Sequence, residues 1–139
     1  MKRIAIMAVF LLLLIPWIVG CTSTSDEQKE FDFTGTFGIT ISKKGEISRT
    51  DTFVLTQDEE LVVGKYAHLE YVSENRLETF YDVIGDILTP DTAEIRLTLL
   101  QAFPPESEPE KEMTLKIILQ ENGEILHVNE WNLDVPRME

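Results

Sequence analysis

The chain has a single cysteine, Cys21, in 139 residues, so no internal disulfide can form and a folded part must rest on an apolar core. Histidine is almost as scarce. His68 and His127 stand alone, with no His-x-x-x-His pair and no second thiol, which argues against a zinc site and reads both as surface histidines. Cations are few: 12 Lys and Arg against 25 Asp and Glu, a formal charge of −13. That deficit excludes a nucleic-acid partner, whose phosphates need cations, and weighs against flat docking on anionic lipid. Nucleophile motifs are missing as well. There is no Gly-x-Ser-x-Gly, no Ser-x-x-Lys and no phosphate loop, and Ser48 and Ser73 have no identifiable base. The expectation is a protein that is not an enzyme and that carries no metal or dissociable cofactor.

What the chain does have is a charge-free apolar run, Ile4 to Ile15, behind Lys2 and Arg3, followed by Pro16 to Gly20 and then Cys21. Cations that stay in the cytoplasm and an apolar run that enters the bilayer are the layout of an export signal. A retained anchor is the alternative, since Ile4 to Gly20 is at the lower edge of a spanning helix. Ile18-Val19-Gly20-Cys21 resembles the lipobox of bacterial lipoproteins. The resemblance implies that the Cys21 thiol receives a diacylglycerol and that a peptidase cuts between Gly20 and Cys21, with an N-acyl chain on the new amino group as a further option. Two acyl chains suffice for stable anchoring, whereas one is marginal. The implied location is the outward face of a bacterial cell membrane. Thr22 in place of Asp after the cysteine fits an outer membrane if the host has one.

Cleavage there leaves 119 residues, one domain's worth of chain, with ten basic residues against 25 acidic and a charge of −15. Residues 21–30 comprise the lipidated cysteine and a polar stretch without apolar periodicity, read as a tether. From Phe31 the pattern turns to period two. Phe31, Phe33, Phe37, Ile39 and Ile41 alternate with polar residues or Gly, and strands follow over Ile47–Gln57, Leu61–Val72, Ala93–Phe103, Met113–Leu119 and Ile125–Leu133. Turns fall at Lys43-Lys44-Gly45-Glu46, Asp58-Glu59-Glu60, Ser73-Glu74-Asn75, Thr89-Pro90-Asp91-Thr92 and around Asn122-Gly123. Residues 104–112, with three prolines and with Glu106, Glu108, Glu110 and Glu112, read as a solvated loop, lacking the ligand spacing of a calcium loop.

Residues 76–88 are ambiguous. Leu77, Phe80, Tyr81, Ile84 and Leu88 fall at helical spacing, yet the stretch is rich in β-formers and holds Gly85. Two short strands meeting near Gly85-Asp86 are preferred over a single helix. The domain is then residues 31–135, with 136–139 a frayed C-terminus. The fold class is all-β, an antiparallel meander of seven or eight strands, closed as a barrel or packed as a sandwich.

Gly35-Thr36-Phe37, Phe53-Val54-Leu55-Thr56-Gln57, Val63-Gly64-Lys65-Tyr66 and Gly85-Asp86-Ile87-Leu88-Thr89 resemble the strand phrasing of small bacterial lipocalin-like meander barrels, with Phe37 where a first-strand Trp is usual. The resemblance favours the barrel, whose interior either packs solid or holds one small ligand. Tyr66, Phe80 and Trp131 are the candidate lining of such a cavity, with Tyr71 and Tyr81 as further aromatics. The expected function is a monomeric, membrane-anchored envelope protein that binds a small apolar ligand. The alternative is an interaction module, inhibitor or scaffold, for a basic envelope protein.

Overall fold

A computed structural model describes residues 31–139; the expected leader, cleavage site at Gly20 and Cys21, and tether lie outside the described residues. Eight strands follow one another as β1 Gly35–Lys43, β2 Glu46–Asp58, β3 Leu61–Val72, β4 Asn75–Thr89, β5 Thr92–Phe103, β6 Glu112–Gln120, β7 Ile125–Val128 and β8 Leu133–Pro136. Each pairs antiparallel with the next, and the sheet order is the chain order. The sheet curls until its ends meet: Phe37 of β1 bridges Arg137, and the Met138 amide donates to the Thr36 carbonyl at 2.8 Å. The result is a nearly closed eight-stranded meander barrel, and the sandwich alternative falls away. Among the described residues no helix is long and apolar enough to cross a membrane.

Strand alternation sorts side chains to the two faces. Inward residues include Phe53 and Leu55 of β2, Val62 and Tyr66 of β3, Tyr81 and Val83 of β4, Ile95 and Leu97 of β5, Leu115, Ile117 and Leu119 of β6, Leu126 and Val128 of β7, and Val135 of β8, all buried. Each large apolar side chain taken from water contributes about 1.5–3 kcal/mol.

Three expectations are corrected here. Residues 76–88 form neither a helix nor two short strands; they lie within one continuous strand, β4, of 15 residues. The helical spacing of Leu77, Phe80, Tyr81 and Ile84 is overridden by a full ladder to β3 on one side and β5 on the other. Gly85 lies inside the strand without breaking it. The β5 backbone passes so close there that a Cβ would collide with the Glu94 carbonyl oxygen. Residues 125–133 are not one strand: β7 ends at Val128 and the chain reverses before β8 begins at Leu133, with the Asn132 amide donating to Asn129 at 3.2 Å. The C-terminal residues are not frayed. Pro136 ends β8, the Arg137 amide donates to Glu124 at 2.8 Å, and the Arg137 guanidinium bonds the carbonyls of Gly123, Thr34 and Asp32 while lying 4.5 Å above the Phe37 ring.

The connections alternate between two ends of the barrel. The chain enters β1 and leaves β8 at one end, together with the turns after β2, β4 and β6. The turns after β1, β3 and β7 and the loop between β5 and β6 gather at the other. The entry end is packed shut by Phe33, Val62, Ile95, Ile117, Leu126 and Val135, all fully buried. The opposite end is open.

Candidate functional site

The open end holds a cavity of about 490 Å³, lined by β2, β3 and β4, the β5–β6 loop, the start of β6 and Trp131 of the β7–β8 turn. Its chemistry follows from three rows of inward residues, stacked from floor to rim by the strand register. In the lowest row Phe37, Phe53, Tyr66 and Tyr81 are successive cross-strand partners. Phe53 stacks on Tyr66 at 4.5 Å, and Tyr66 lies 5.7 Å from Tyr81 and 5.4 Å from Trp131. Such tilted and offset rings are the favoured aromatic geometry and make a rigid apolar floor.

The middle row is polar. Asp51 of β2 faces His68 of β3 as a direct register pair, with Thr79 of β4 beside them. Asp51 is fully buried and accepts three bonds: from Tyr66 Oη at 2.5 Å, His68 Nδ1 at 2.8 Å and Arg49 Nε at 2.5 Å. A buried carboxylate needs this company, because one without partners costs several kcal/mol. Burial alone would raise its pKa, but the bonds from His68, Arg49 and Tyr66 outweigh that and hold it below the usual carboxylate range. Asp51 is then ionised and can only accept, so His68 Nδ1 carries a proton. The bond to Asp51 outweighs desolvation and raises the His68 pKa, with Glu70 adding to it. Burial and the adjacent Asp51 charge push the Tyr66 phenol far up, so it stays a neutral donor.

In the rim row Arg49 faces Glu70 across β2 and β3, with Leu77 following on β4. Despite the register, Glu70 turns to His68, its Oε2 lying 3.5 Å from Nε2, and makes no ion pair with Arg49 among the described residues. The β5–β6 loop covers one side. Tyr81 Oη donates to the Glu110 carbonyl at 3.0 Å, and Ser107 Oγ is the one buried side-chain polar atom without a partner among the described residues.

Of the residues named from sequence, Tyr66, Tyr81 and Trp131 come together in this cavity, and Phe80 does not. Phe80 is next to inward Tyr81 on β4, so alternation turns it outward, where it is 36% exposed. Tyr71 is also exposed, near the end of β3. His68 is not a surface histidine; its ring forms part of the cavity wall. His127 is on the outer face of β7, its Nδ1 2.6 Å from Asp134 Oδ1. The loop of residues 104–112 is solvated at Glu106 and Glu108, but Ser107, Pro109 and Glu110 line the cavity. Among the described residues no group of three His, Cys, Asp or Glu is placed to hold a metal ion.

Asp51 and Arg49 are the residues that sequence reading passes over. Their signal is parity: they share the inward face with Phe53 and Leu55, and charged residues at core positions of a strand mark a polar pair across the sheet. Compared with known families, curated proteins and solved structures, the chain matches none.

Proposed function

We propose that this is an exported lipoprotein, anchored through acyl chains on Cys21, whose barrel binds a small, largely apolar ligand in the cavity at its open end. One observation carries the binding reading: a cavity of about 490 Å³ with an aromatic floor and a few convergent polar groups, the general build of a small-molecule site. Lipocalin-like barrels hold their ligands in comparable places, and the meander order here fits that likeness.

The anchor and the cavity belong to opposite ends of the fold. The chain enters β1 at the packed end, so the segment that leads from Cys21 joins the fold opposite the mouth of the cavity. The second reading, docking to a basic envelope protein, draws on the exposed Phe80, Ile84 and Leu100 of β4 and β5 together with the acidic surface.

Native mass spectrometry of the chain from Thr22 onward, after incubation with an extract of its host's envelope, tests the binding reading. A reproducible small adduct that disappears in Trp131→Ala is the expected result. A bare protein under conditions that preserve the fold would overturn it and direct attention to crosslinking of a protein partner.

A further inference from the structure

The polar rows of the cavity contain donors that the fold leaves unspent. Asp51 takes the Nε of Arg49 and the Nδ1 of His68. Among the described residues the Nη groups of Arg49 have no hydrogen-bond partner, although the side chain is only 35% exposed. His68 Nε2 has Glu70 alone, at 3.5 Å, the outer limit of a hydrogen bond, and the Glu70 side chain is 46% exposed and so half in solvent. The Arg49 guanidinium and the His68 ring, on neighbouring strands, thus face one space above the aromatic floor, and Glu70, the one acceptor His68 Nε2 has there, is loosely held.

We propose that the ligand is a small organic anion, a carboxylate or sulfonate on an apolar body, with its head between Arg49 and His68 and its body on Tyr66, Tyr81 and Trp131. This rests on the cavity reading above and specifies its ligand. Two oxygens of either anionic head can accept from the guanidinium fork, and charge-assisted bonds of this kind are about twice as strong as neutral ones. The head displaces Glu70 from His68 and leaves Asp51 in place, since Asp51 is buried and already accepts three donors. The acidity of the chain as a whole does not oppose this strongly. Charges beyond about 8 Å are screened at physiological salt, while Arg49 and His68 act at contact. The floor excludes water from the body, and the head sits near the rim, where it meets a partly desolvated cation.

Two fluorescent probes with the same aromatic body separate the ideas: anilinonaphthalene sulfonate and uncharged phenylnaphthylamine. With the full mature chain, the sulfonate is expected to bind about tenfold more tightly, equivalent to about 1.4 kcal/mol. Arg49→Gln should abolish that advantage and retain the neutral probe. Because Arg49 also supports Asp51, Glu70→Gln provides an independent variant with the opposite sign: removing the competing carboxylate should tighten the sulfonate about threefold and leave the neutral probe unchanged. Displacement of the sulfonate by naphthoate or by decanoate would support the assignment, and which of the two is stronger distinguishes a planar from a chain-like body. Equal binding of both probes, or a sulfonate affinity untouched by Arg49→Gln and by Glu70→Gln, would overturn the anion proposal alone. Binding of neither probe would overturn the cavity reading with it.

Discussion

Asp51 Oδ1 and His68 Nδ1 lie 2.8 Å apart as direct cross-strand partners on the inner face of the barrel, 17 residues apart in sequence. The pair joins an apolar interior to a polar cavity, because Asp51 is fully buried while His68 reaches the cavity wall. Their bond is therefore both a stability element and part of the candidate site.

Asp51→Ala should be the most damaging single change in the polar rows. It strands the Tyr66 phenol, the His68 Nδ1 and the Arg49 Nε without their common acceptor. Removing one partner from a buried charged network costs about 3–5 kcal/mol, and a urea titration of the mature chain should register a loss of that order. A loss below about 0.5 kcal/mol, the scale of an ordinary surface substitution, would mean that the network does not hold the strands.

Stability should depend on pH through the same groups. His68 has a raised folded pKa, so its contribution is complete below its unfolded value and is lost as pH rises through the folded one. Asp51 has a lowered folded pKa, so its contribution is present above its unfolded value and is lost as pH falls through the folded one. The groups facing His68 are Asp51, Glu70, Arg49 and Tyr66. Urea midpoints of the wild type should decline from mildly acidic to alkaline pH, and His68→Gln should flatten that decline. An identical slope in the variant would remove His68 as its source.

Arg137→Ala should loosen the barrel at its closure. The side chain bonds three backbone carbonyls, of Gly123, Thr34 and Asp32, and covers the Phe37 ring. Three lost bonds and a lost cation–π contact are expected to cost about 2 kcal/mol. Faster proteolysis between residues 31 and 36 should accompany the loss. Arg137→Lys should rescue little, because one ammonium cannot match a fork that spans three carbonyls. Full rescue by Lys would show that charge alone matters there.

Cys21→Ser tests the anchor. The variant is expected to accumulate as uncleaved precursor and to take up no labelled fatty acid, while the wild type is labelled and shortened by 20 residues. Lipid labelling that persists in the variant would refute Cys21 as the attachment site.

Most strands and turns were legible in the sequence because alternation and turn chemistry are local. Leu61–Val72 reads as a strand from its own residues and is one in the fold, β3. Tyr66 and Trp131 were legible as lining aromatics, but Phe80 was not legible as an outward residue, since the helical spacing of its segment concealed its parity. The sequence by itself determined an antiparallel all-β chain, its acidic balance and a charge-free apolar run that precedes a lone cysteine. Only the tertiary structure decided which face of each strand turned inward, where β7 and β8 divide, and that the last residues lock onto the first strand. Those outcomes depend on register and closure between distant segments: a shift of one residue in the β2–β3 pairing would separate Asp51 from His68, and Arg137 reaches Thr34 across 103 residues of chain.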